Sequence, residues 1–242
     1  MTTTTDTNHP RMVSRGEWIE TRKKLLAKEK ETTQQRDALA AERRKLPWVR
    51  VDEEYKFEGP GGEESLADLF AGCSQLLVYH FMFGPDWEEG CPICSMVGDG
   101  LEAVRMHLPH RDVTLAAVSR APLPKIQAFK QRMGWGFTWV SSFGNSFNRD
   151  FHVSFTPEEV DKGEMYYNYG VTAFPAEEAH GTSVFYRDSQ GNVFHTYSCY
   201  ARGSEIVLPV YQFLDLVPKG RDEGNLEWPM AWVRHHDRYG KD

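Results

Sequence analysis

Gln75-Leu-Leu-Val-Tyr-His-Phe-Met-Phe83, Gly84-Pro-Asp-Trp-Glu-Glu-Gly90 and Cys91-Pro-Ile-Cys94 follow one another without a break. The first run is almost continuously apolar, the pattern of a strand buried on both faces of an α/β sheet. Gly84, Pro85 and Asp86 end that strand and impose a loop. From Cys94 onward the apolar residues Val97, Leu101, Val104 and Leu108 recur at helical spacing. A strand, a loop and a Cys-x-x-Cys at a helix start form the arrangement of a dithiol redox site. The unpaired N–H groups of a first helical turn stabilise a thiolate, and the thiolate is the attacking species. Pro92 suits that turn, where a missing N–H costs nothing.

Working outward, the sequence reads as one domain with an extension. Residues 1–13 are polar and Thr-rich, with no apolar run behind them, and read as a disordered lead rather than a secretory signal. Residues 14–47 read as a helical arm, opened by the capping-box spacing Ser14-Arg-Gly-Glu17. Trp18, Leu25, Leu39 and Leu46 fall at multiples of seven along it, with Thr32 interrupting the seam. Such a seam suits a homodimer through this helix. Residues 48–242 hold an edge strand near Trp48–Phe57, a turn at Gly59–Gly62 and a short helix with Leu66, Leu69 and Phe70 inward. A second buried strand follows at Asp112–Ser119, then a helix at Lys125–Met133 and a strand at Phe137–Val140. Residues 143–181 read as an aromatic insertion able to lie over the cysteines. Thr182–Arg187 and Asn192–Ser198 form an antiparallel hairpin, and Gly203–Leu216 reads as a closing helix.

The 242 residues carry a formal net charge of -7 with scattered Lys and Arg, which argues against a nucleic-acid partner. No apolar run approaches the roughly 20 residues of a membrane span. A cytoplasmic protein is expected, and four cysteines there do not suggest a structural disulfide framework. No cofactor is called for.

Strand, Cys-x-x-Cys helix, strand, helix, hairpin and final helix is the order of the thioredoxin fold: a central mixed sheet flanked by helices, here with an N-terminal helical extension. The chain resembles an uncharacterised bacterial family of thioredoxin-like proteins labelled predicted dithiol-disulfide oxidoreductases. The stretches that carry the resemblance include Glu42-Arg-Arg-Lys-Leu-Pro47, Tyr79-His-Phe-Met82, Gly90-Cys-Pro-Ile-Cys-Ser95, Val118-Ser-Arg-Ala-Pro122, Arg132-Met-Gly-Trp135, Gly181-Thr-Ser-Val-Phe185 and Arg234-His-His-Asp237. The resemblance implies thiol–disulfide exchange with a protein or small-molecule thiol or disulfide. Two positions depart from thioredoxin itself. Gly90 stands where a Trp precedes the first cysteine, with Trp87 earlier in the loop. Gly181-Thr182-Ser183 stands where a cis-proline opens the hairpin, closer to the Gly-Thr start of a peroxiredoxin hairpin.

The residues assign Cys91 as nucleophile and Cys94 as resolving thiol, with peroxide reduction through a Cys91 sulfenic acid as the nearest variant. Asp86, Glu88 and Glu89 would oppose a thiolate if they pointed inward. Trp87, Pro92, Arg120 and Thr182 are the supporting candidates; Arg120, at a strand C-terminal end where α/β sites gather, either stabilises a thiolate or pairs with an acid at the rim. The alternative is a redox-silent binding protein holding zinc or copper through Cys91, Cys94, His195 and Cys199. That set relies on His195, Tyr197 and Cys199 alternating onto one face of a strand. His80 reads as a core histidine and Cys73 as a buried small residue. Ser141, Ser142 and Asn148 read as loop hydrogen-bonders, and His235-His236-Asp237 as a docking tail.

Overall fold

The computed structural model describes residues 10–240; the first nine residues of the expected disordered lead lie outside them. The chain divides into two compact units, 1–46 and 47–242. In the first, α1 (Arg15–Arg43) begins at Ser14, whose Oγ accepts from the Glu17 amide at 3.2 Å. The reciprocal half of the capping box is missing because the Glu17 carboxylate takes Arg11 instead, at 2.6 Å. No residue of α1 is buried, and Trp18, Leu25 and Leu39 of the heptad seam are about half exposed. Among the described residues no helix is long and apolar enough to cross a membrane.

The second unit is built on an eight-stranded sheet. Its centre is β4 (Gln75–His80), the apolar run that opened the reading above. The connection through α2 (Pro92–Val104) returns the chain to β5 (Val113–Ser119), parallel to β4. A second connection through α3 (Leu123–Arg132) adds β6 (Thr138–Ser141), parallel to β5. On its other side β4 pairs antiparallel with β9 (Gly181–Arg187), which pairs antiparallel with β10 (Val193–Tyr200). This β10-β9-β4-β5 core is the thioredoxin-like arrangement, a mixed sheet flanked by helices. The Trp48–Phe57 stretch is not one edge strand. It is split into β1 (Val49–Arg50), which joins β10, and β2 (Lys56–Gly59), which makes a hairpin with β3 (Gly62–Ser65) and pairs with β6 at the far edge.

Alternation along β4 gives each face its own core. Tyr79 and the following Phe81 pack with Cys94, Val97, Leu101, Phe129, Trp135 and Trp139 under α2 and α3. Leu76 and Val78 pack with Phe70, Phe147, Phe151 and Phe185 on the opposite face. Phe81 and Trp139 meet at 4.4 Å between ring centroids, and burying each such ring stabilises the fold by roughly 1.5–3 kcal/mol. Helix α2 ends at Val104, one turn short of the expected stripe, because Pro109 follows and Leu108 opens a short 3-10 turn. The expected closing helix is likewise short: a 3-10 segment covers Ala201–Val207, and only α4 (Pro209–Leu214) is regular.

Residues 143–181 build a third, smaller cluster. Val153, Phe155, Met165, Tyr167 and Ala179 pack there with Tyr200 of β10. Within it Thr156 and Glu159 cap one another in a capping box, and Met165–Tyr167 pairs with Gly170–Thr172 as a small hairpin.

Candidate redox site

Cys91 caps α2, with Pro92 in the first turn as its chemistry requires. The main chain of Cys91 is pinned on both sides. Its N–H donates to the Met82 carbonyl at 3.0 Å, and its own carbonyl accepts from the Ser95 amide and the Ser95 hydroxyl, both at 2.9 Å. Gly90, just before it, sits so close under the rings of Phe81 and Phe129 that a Cβ would lie 2.7 and 2.9 Å from them. Only glycine lets the chain approach the helix there. Cys91 is half-buried, whereas Cys94 is 1% exposed.

The two thiols are electrostatically unequal. The hydrogen bond from Cys94 is the largest influence on Cys91 and lowers its pKa against burial, helped by the Cys94 and Ile93 amides of the first turn. Cys94 is pushed well above the ordinary thiol range, first by burial and then by Cys91, with the Tyr79 hydroxyl and the Met82 amide pulling the other way. The loop acids do not oppose this. Burial alone would raise the pKa of Glu89, but Arg132 and Arg238 lower it, and the carboxylate lies 2.7 Å from Arg132 and 2.6 Å from Arg238. The site therefore offers one reachable, acid-shifted sulfur and one buried, neutral thiol.

Trp87 packs partly buried against the same core, and Lys125 Nζ holds the Pro85 and Trp87 carbonyls at 3.0 Å each. Thr182 lies in register between Tyr79 and Cys199 across β4, β9 and β10, so all three share the face beneath α2. Among the described residues there is no cis peptide bond, so the chain enters β9 at Gly181-Thr182 in trans. In the insertion, burial raises the Tyr167 pKa against the hydrogen bond to the Ala201 amide, with smaller through-space contributions from Cys94, Tyr200 and Cys199. The tail closes the other side, with His235 Nε2 2.8 Å from the Gly90 carbonyl.

A family model of bacterial proteins of unknown function, DUF899, matches residues 7–239. The chain belongs to this family. No curated protein matches it in sequence. Among solved structures, the DUF899 chain is similar to the bacterioferritin comigratory protein of Xanthomonas campestris, with 15% identity over 68% of this chain and 94% of that one, TM-score 0.47. It is also similar to peroxidoxin BcpB of Mycobacterium tuberculosis (10%, 68% and 94%, TM-score 0.46) and to peroxiredoxin Q of X. campestris (16%, 70% and 97%, TM-score 0.46). With scores this low, the thioredoxin-like architecture of the DUF899 chain rests on its strand order and no chemistry is carried over.

Two sequence expectations need correction in this DUF899 chain. The metal set Cys91, Cys94, His195 and Cys199 is not assembled. His195 pairs with Phe185 while Tyr197 pairs with Val184, so Thr196 is an extra residue, a bulge. The bulge turns His195 to the face of Phe151 and Phe185, opposite Cys94 and Cys199. There His195 ends a buried chain of hydrogen bonds through Ser198 (2.7 Å) and Ser183 (2.8 Å) to His80 (2.8 Å). Burial, then His195, pushes the pKa of His80 down to about 3, as suits a neutral core histidine. Among the described residues no group of three or more His, Cys, Asp or Glu could hold a metal. Cys73 is half-buried rather than buried.

Arg120 takes the second of its two readings. It pairs with the buried Glu178 at 2.8 Å, and Ser154 donates to the other carboxylate oxygen at 2.6 Å. The pair anchors the insertion to the end of β5. Burial raises the Glu178 pKa despite Ser154 and Arg120. The folded state thus binds that proton more readily than the unfolded chain, so the contribution of Glu178 is full in acid and fades as pH rises through its folded pKa. Arg120→Met strands the carboxylate. It is expected to cost about 3–5 kcal/mol in denaturant unfolding at pH 8, with a deficit that shrinks as pH falls and Glu178 takes up a proton. A deficit independent of pH would mean that Arg120 acts by packing alone.

Ser141 donates to the Ala121 carbonyl and Ser142 to Asn148 Oδ1, both at 2.7 Å, stitching β6 to the loops beside it. Tyr79 was hidden from sequence reasoning inside an apolar run. Its signal was chemical: a buried tyrosine hydroxyl needs a partner.

Proposed function

We propose that this protein is a thiol–disulfide oxidoreductase in which Cys91 attacks and Cys94 resolves. The observation that supports this reading is the inequality of the two sulfurs, one half-buried and acid-shifted at a helix N-terminus, the other sealed and neutral one turn behind. Cys91 thiolate attacks one sulfur of a substrate disulfide, forming a mixed disulfide and expelling one substrate thiolate. Cys94 then attacks the Cys91 sulfur, the protein disulfide forms, and the second substrate thiolate leaves with the proton that Cys94 gives up. An external dithiol restores the protein by the reverse exchange.

Equilibration of the purified protein against glutathione buffers, read by alkylation and peptide mass, tests this. A reversible Cys91–Cys94 disulfide is expected, with a potential in the range of roughly -180 to -270 mV of exchange enzymes. On reduced protein, Cys91 should alkylate faster than Cys73 at pH 7. Absence of a disulfide in every buffer would refute the assignment.

A further inference from the structure

Resolution poses a difficulty that the two cysteines do not meet alone. Cys94 must attack as a thiolate, yet it is enclosed in an apolar core where burial holds it protonated. A charge appearing there needs a hydrogen-bond donor. Two hydroxyls lie on the sheet face beneath it, Tyr79 on β4 and its register partner Thr182 on β9. Tyr79 is 1% exposed and Thr182 5% exposed, and neither hydroxyl has a hydrogen-bond partner of ordinary geometry. Buried polar groups left in that state are uncommon and call for a reason. For Tyr79 the reason stands opposite: it shares a core cluster with Cys94, and after burial itself the largest influences on its phenol are the Cys94 and Cys91 sulfurs.

We propose that Tyr79 is a catalytic hydrogen-bond donor to Cys94 sulfur, idle toward the neutral thiol and engaged when that sulfur carries charge. This rests on the dithiol reading above and names the group that makes its second step work. Burial keeps the phenol well above its ordinary pKa, so it donates a hydrogen bond and keeps its proton. The Cys94 proton ends on the departing substrate thiolate, one S–S bond to substrate breaks, and the Cys91–Cys94 bond forms. In the reverse direction, an incoming thiolate attacks Cys91 and Cys94 leaves as the thiolate that Tyr79 receives. An interaction made only with the charged sulfur favours the transition state over the ground state.

Reaction of the reduced Cys73→Ser protein, the wild type for this comparison, with dithiobis(nitrobenzoate) separates the steps, since the first thionitrobenzoate marks attack by Cys91 and the second marks resolution by Cys94. Tyr79→Phe, which removes one oxygen and keeps the ring, is expected to leave the first phase unchanged. The second phase should slow by about ten- to a hundredfold, the weight of a hydrogen bond to a charged group. In a Cys91→Ser background, the Cys94 thiolate absorbance should titrate at higher pH with Phe at 79 than with Tyr. Placing 3-fluorotyrosine at position 79, a stronger donor of the same shape, should speed the second phase. That variant tests the proposal even if Tyr79→Phe fails to fold. An unchanged second phase in both variants, with a normal second phase in the wild type, overturns the role of Tyr79 alone. A wild type with no second phase at all overturns the dithiol reading and this inference with it.

Discussion

Cys91→Ser is expected to bring disulfide turnover with a dithiol reductant down to background, a loss of about a thousandfold or more, as for removal of any covalent nucleophile. The size follows from the site. Cys91 is the more accessible, half-buried thiol of the pair, and its sulfur is the one that Cys94 and the first-turn amides stabilise as a thiolate. A serine hydroxyl there stays protonated at neutral pH and does not exchange with sulfur. Cys94→Ser should behave differently. It leaves the first attack intact and halts at the mixed disulfide, so the intact mass rises by one substrate thiol and stays there until dithiol is added. Cys94 itself, 1% exposed, has no access to a bulky disulfide. If the adduct accumulated on Cys91→Ser rather than on Cys94→Ser, the two roles would have to be exchanged.

Much of this site is legible in the chain because short-range signals determine it. The apolar run before a Gly-Pro break, a proline one residue after a cysteine, and apolar spacing behind it define β4, the loop and the start of α2 without reference to anything distant. The hairpin at Gly181 is legible for the same reason. What escaped depends on register and on partners far along the sequence. A single extra residue, Thr196, moves His195 to the other face of the sheet, and nothing local in Phe194-His-Thr-Tyr197 announces it. Arg120 was placed at the right strand end, but its partner Glu178 lies 58 residues away inside the insertion. Tyr79 was read only as part of an apolar run, although its hydroxyl is buried there without a hydrogen-bond partner.

A second large structural effect is expected where the C-terminal tail grips the loop before Cys91. His235 is 2% exposed and packs edge-on against Phe129 at 5.3 Å. Arg132 Nη2 lies 3.2 Å from His235 Nδ1. An arginine only donates, so Nδ1 accepts and Nε2 carries the hydrogen that meets the buried Gly90 carbonyl at 2.8 Å. Arg132 also holds Asp237 at 2.9 Å and Glu89 at 2.7 Å, while His236 bonds Asp99 of α2 at 2.7 Å. His235→Ala removes a ring from the core and orphans a buried carbonyl. It should destabilise the fold by about 2–4 kcal/mol in denaturant unfolding. Gly90→Ala acts with the opposite sign of volume, driving a Cβ to 2.9 Å from Phe129, and should cost about 1–3 kcal/mol by overpacking. Both changes press on the same ring. In the His235→Ala background Phe129 has room to yield, so the double variant should be more stable than the sum of the singles by about 0.5–3 kcal/mol. Strict additivity would mean that tail and loop are held independently. A positive coupling would make the tail part of what fixes Gly90, and through it the backbone of Cys91, against α2.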